Sequence, residues 1–151
     1  MKKIKLIAAV LLFAVSILSS CSSDDGSVSE GNIMRRWNPT KTVVKVGTSD
    51  SFTQTYNSNE PGCDKDYLEF ADNNVLNFVI YFKNADQLCT PDSAAPATWT
   101  KANNTVTISG GSNYDGTYTI TKLTNSELRL QNTSTIAGSS TVTTIYFNKA
   151  T

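Results

Sequence analysis

The chain predicts an all-β fold, an antiparallel up-and-down meander closing into a small barrel, and three features carry that expectation. Apolar and polar residues alternate at period two in segment after segment beyond residue 32, the spacing of strands with one covered and one wet face. Asn, Asp and Gly pairs separate these segments and tolerate the positive φ angles of tight hairpins. Thr, Ser and Asn are abundant, only four prolines occur, and no helical apolar stripe follows the first 20 residues. A meander of roughly eight to ten strands removes its exposed edges by closing on itself. A two-sheet β-sandwich is the alternative that the pattern leaves open.

The first element is a leader. Lys2, Lys3 and Lys5 precede an apolar run from Leu6 to Leu18 broken only by Ser16. Thirteen residues are too few to cross a bilayer core, so residues 1–20 read as a secretory signal peptide. The ending Leu18-Ser19-Ser20-Cys21 resembles the lipobox of bacterial lipoproteins. The resemblance implies cleavage before Cys21, a diacylglycerol thioether on its sulfur and an acyl chain such as palmitate on the new amino end. Two or more chains anchor a protein stably, at roughly 0.8 kcal/mol per buried methylene, without a transmembrane helix. An ordinary signal peptide with an idle Cys21 is the alternative.

Residues 21–31 then form the lipidated cysteine and a tether. Residues 22–31 are almost all Ser, Gly and acid, and ten such residues span roughly 17–19 Å. By resemblance, Ser22 favours the outer membrane over inner-membrane retention, on the periplasmic or the surface face. Asp24-Asp25 resemble an acidic tag for surface export, and a plain solvated linker explains them equally.

Residues 32–151 are long enough for one domain with its own core. Once Lys2, Lys3 and Lys5 leave with the leader, ten bases face thirteen acids. The only adjacent basic pair is Arg35-Arg36, so nucleic acid is not an expected partner.

Within the domain, early strands are expected at 33–38, 42–46 and 51–56. Val75–Phe82 is nearly continuous in apolar residues and reads as a central, well-covered strand. Val106 and Ile108, Tyr118 and Ile120, Leu128 and Leu130, and Ile145 and Phe147 each mark an apolar face. Asp72-Asn73-Asn74, Asn103-Asn104, Asp115-Gly116 and Asn125-Ser126 supply the turns, and Ser109-Gly110-Gly111-Ser112 reads as a hairpin loop.

Cys63 and Cys89 remain once Cys21 is assigned. Outside the cytoplasm such a pair is expected to be bridged. A hairpin turning at Asp72–Asn74 brings both to one end of the sheet. Neither belongs to a CxxC motif, so the bridge reads as structural.

With these pieces placed, residues 31–149 resemble the lipocalin-like domains of secreted bacterial lipoproteins. The matching segments are Trp37, the run Cys63 to Phe70, Cys89, Trp99, Tyr118-Thr119-Ile120 and Leu128-Arg129-Leu130. The resemblance implies a barrel that holds a small apolar ligand or is filled by its own side chains. Lipocalins usually carry Gly two residues before the first Trp, where this chain has Arg35. That departure puts the usual close packing at the barrel base in question. The late-strand Arg129, flanked by Leu128 and Leu130, is expected to point outward.

The sequence carries little catalytic chemistry. No histidine occurs, which removes Ser-His-Asp and Cys-His catalysis and histidine-ligated metal. No phosphate-binding loop precedes a helix, so no cofactor is expected. Asp64, Asp66 and Glu69 read as a solvated loop beside the disulfide, since Asp-x-Asp alone lacks the other ligands of a calcium site. Trp37, Trp99, Tyr81 and Tyr118 are the candidate ligand-binding residues, with core packing the commoner role of such rings. Tyr114 is expected to be exposed, and Phe78, Ile80 and Phe82 to fill the interior. The expected function is a non-enzymatic, membrane-anchored envelope lipoprotein that binds a small apolar ligand or is purely structural. The alternative is an interaction module whose loops at Tyr56–Pro61, Thr90–Pro96 and Ser109–Asp115 contact a protein or glycan.

Overall fold

Alternation becomes a closed barrel in the computed structural model, which describes residues 32–110 and 112–151. Its strands are β1 (Arg36–Val46), β2 (Phe52–Thr55), β3 (Tyr67–Phe70), β4 (Val75–Lys83) and β5 (Cys89–Ser93), then β6 (Ala97–Ala102), β7 (Thr105–Ser109), β8 (Gly116–Leu123), β9 (Glu127–Ile136) and β10 (Ser139–Lys149). Every pairing is antiparallel. The ring runs β1, β3, β4, β6, β7, β8, β9, β10 and returns to β1. β2 and β5 are additional strands beside β1 and β4. The barrel expectation therefore holds over the sandwich.

The strands expected at 33–38 and 42–46 are one strand. β1 is continuous because β10 pairs along its whole length, from Trp37 opposite Lys149 to Val46 opposite Thr141. The register slips between Pro39 and Lys41. A proline has no N–H to give to a ladder, so the bulge falls where pairing is weakest.

β4 also departs from expectation. Its first half is covered, with Leu76 and Val79 buried, but Ile80 and Phe82 are 37% and 41% exposed. The reason is topological: above Val79 the strand pairs with β5, not with the ring. The pair β4–β5 there projects as a two-stranded ribbon, so Ile80 and Phe82 do not fill the interior.

The core occupies one end of the barrel. Trp37, Leu68, Phe70, Leu76, Trp99, Ile120 and Phe147 are among its buried members. Trp37 is fully buried and its indole N–H donates to the Ile33 carbonyl at 2.9 Å. Trp99 donates to the Ala71 carbonyl at 3.1 Å and meets Phe70 edge-on at 5.2 Å. Arg35 does not disturb this base. Its guanidinium lies 5.6 Å from the Trp37 ring centre and donates to the Asn125 carbonyl at 3.1 Å. A stacked cation thus covers the ring. Arg129 points outward as expected, over the Tyr146 ring at 5.0 Å.

Cys63 and Cys89 are bonded, with Cα atoms 5.5 Å apart and the two residues 26 positions apart in sequence. In the chain-entropy account a loop of that length contributes about 3.5 kcal/mol. The double variant Cys63→Ala/Cys89→Ala is therefore expected to lose about 3 kcal/mol in urea unfolding; an unchanged midpoint would show that the bridge does not hold the fold. Trp37→Ala should cost about 3–5 kcal/mol, the range for emptying a large aromatic site. Arg35→Ala should cost below about 1 kcal/mol, the scale of an exposed cation–π contact. Equal losses for the two would contradict the division between a packed ring and its cover.

Candidate functional site

The end opposite the core holds a half-open cleft of about 520 Å³, within the usual size of small-molecule sites. Phe52, Gln54, Tyr56, Thr42, Tyr114 and Ile145 are among its lining residues. Thr42 faces both Gln54 and Ile145 across the ladder. The walls are thus strand side chains from β1, β2 and β10. Phe52 is 66% exposed, a large apolar ring with little protein over it.

Tyr114 belongs to the loop between β7 and β8, and it is buried rather than exposed, at 9%. The loop folds inward because its own polar groups are closed off locally. The Asp115 carboxylate accepts from the Ser112 N–H at 2.9 Å, the Ser112 hydroxyl at 2.8 Å and the Gly110 N–H at 3.2 Å. Gly110 sits at φ +131, and a side chain there would lie 2.9 Å from the Ala97 Cα. Only glycine fits that close approach. Tyr118 donates its hydroxyl to the Tyr114 carbonyl at 3.0 Å. The Tyr114 ring then packs edge-on against Phe78 at 5.4 Å and tilted against Phe147 at 5.9 Å. Its hydroxyl has no hydrogen-bond partner among the described residues. Burial, helped by Tyr118 and by the Asp66 charge, pushes this phenol up to about 12, so it stays a donor at neutral pH.

Asp66 is the second surprise. It is 1% exposed, where a solvated loop was expected. The cause is a break in the barrel wall. β1 pairs with β3 at Trp37 and with β2 from Lys41 upward, and the chain between β2 and β3 leaves the sheet. Beside that break the Tyr81 N–H of β4 donates to Asp66 Oδ1 at 2.8 Å. The Tyr56 hydroxyl donates to Asp66 Oδ2 at 2.6 Å. Asn59 and Asn38 complete the hold, through the Asp66 N–H at 3.0 Å and carbonyl at 2.9 Å. A buried carboxylate persists only when its oxygens are so satisfied. Burial and then the Asp66 bond raise the Tyr56 phenol well above its ordinary value.

The sequence-derived candidates lie elsewhere. Trp37, Trp99 and Tyr118 are in the packed end with their polar atoms paired. Tyr81 lines a smaller outer groove of about 280 Å³ with Tyr67, Arg36 and Asp64, where Arg36 lies 4.6 Å over the Tyr67 ring and bonds Glu69 at 2.8 Å. None of the four lines the large cleft. Of the loops expected to make contacts, Tyr56–Ser58 and Tyr114 wall the cleft. Cys21 lies outside the described residues. Among the described residues no group of His, Cys, Asp and Glu could hold a metal ion.

The cleft residues had signals of their own. Counting back by two from Phe70 and Leu68 places Asp66 on the inner face of the same strand line. Glycines at 110 and 116 bracket Tyr114, which marks a constrained loop rather than a loose one.

No curated protein matches the chain. Residues 28–130 match the family model of the lipocalin-like domain. With the barrel closing as such a fold requires, the chain belongs to the lipocalin-like domain family.

Proposed function

We propose that the protein is a lipid-anchored envelope lipoprotein, non-enzymatic, that binds one small, largely apolar ligand in the cleft. The observation that carries the binding role is Tyr114: its ring is packed in the wall, and its hydroxyl meets the cleft with no protein partner among the described residues, beside an exposed Phe52 in a space of ligand size. A donor at a cleft surface that no protein group takes is open to an acceptor carried by a ligand. Family membership supports binding rather than chemistry, and the histidine-free sequence supports it too.

The lipobox supports acylation at Cys21, and the outer membrane is the reading that Ser22 favours. Asn32 enters beside the packed end, where Ile33 meets Trp37.

Protein purified from membranes in mild non-ionic detergent should bind the neutral fluorophore N-phenyl-1-naphthylamine saturably, one per chain. Phe52→Ser should weaken that binding about tenfold, the scale of losing one apolar wall. Non-saturable binding, or a variant equal to the wild type, would remove the cleft from consideration. For the anchor, labelled palmitate should appear on the wild-type chain and vanish in Cys21→Ser together with the membrane association. Label retained by the variant would place the acyl group elsewhere.

A further inference from the structure

We infer that the cleft selects neutral amphiphiles bearing a hydroxyl or carbonyl group and rejects carboxylates. The inference rests on the cleft being a ligand site and adds the chemistry of the head group. Two features set it. The Tyr114 ring is packed into the wall of the cleft and its hydroxyl has no protein partner among the described residues, so it is free to donate to a ligand acceptor. Behind Tyr56 lies the Asp66 carboxylate, 1% exposed and accepting on both oxygens. Its charge reaches both tyrosines of the cleft, Tyr56 and Tyr114.

An anion placed to accept from Tyr114 therefore sits in the field of a buried negative charge. Asp66 is itself 1% exposed, so solvent screens its charge less than that of a surface carboxylate. The cation nearest the cleft does not offset it. Lys41 lies at the rim, but its ammonium is 4.7 Å over the Tyr146 ring, and Tyr146 alternates with the inward-facing Phe147. A neutral hydroxyl or carbonyl meets the phenol without that repulsion, while its apolar body contacts Phe52 and Ile145.

The test is displacement of N-phenyl-1-naphthylamine by decanol and by decanoate at about pH 7.5, with detergent-only blanks subtracted. Decanol should compete at least about tenfold better than decanoate. Tyr114→Phe should weaken decanol about fivefold, the scale of one hydrogen bond, and leave the dye nearly unaffected. Asp66→Asn should narrow the gap between the two ligands. If that variant does not fold, the wild-type ratio and Tyr114→Phe decide. Decanoate equal to or better than decanol overturns this inference while leaving the cleft as a ligand site. Competition by neither, with the dye bound saturably, overturns it as well. Failure of the dye itself to bind overturns the underlying reading.

Discussion

Everything in this structure depends on β1 being bonded along both edges. β10 holds one edge over nine residue pairs, and that pairing turns an open meander into a ring. The other edge is shared between β3 and β2. A sheet closed this way has no free edge through its packed end, which protects the backbone donors there. The handover from β3 to β2 leaves a gap further up. The gap is where the molecule becomes interesting, because backbone groups there need partners that strands do not supply.

Asp66 fills that need. Its carboxylate takes the Tyr81 N–H that a continuous neighbouring strand would have accepted, and it takes the Tyr56 hydroxyl as well. The Cys63–Cys89 bridge ties the chain that bulges out of the gap to the start of β5. One break in the wall thus explains a buried acid, a bridged loop and a half-open cleft. The same acid gives the cleft its electrostatic character, so the fold's repair and the site's selectivity share one side chain.

The two ends of the barrel differ in what fills them. At the packed end, Trp37, Phe70, Trp99 and Phe147 interlock and each indole N–H finds a carbonyl. Toward the open end the inward positions turn to Thr42, Gln54 and Thr143 across the ladders, and β2 is exposed along its whole length. Short polar side chains cannot close a lumen as rings do. Tyr114 marks the boundary, its ring in the packing and its hydroxyl in the cleft.

By itself the chain's pattern determined the all-β class, the antiparallel meander and the bridge. Those properties follow from period-two alternation, turn residues and cysteine count, which are local. Asp66, Tyr114, Ile80 and Phe82 were decided only in three dimensions. The inward turn of Tyr114 needs the close approach of Gly110 to Ala97, and the burial of Asp66 needs the break between β2 and β3. The exposure of Ile80 and Phe82 comes from β4 leaving the ring to pair with β5. Each depends on a neighbour distant in sequence, so no window of adjacent residues could show it.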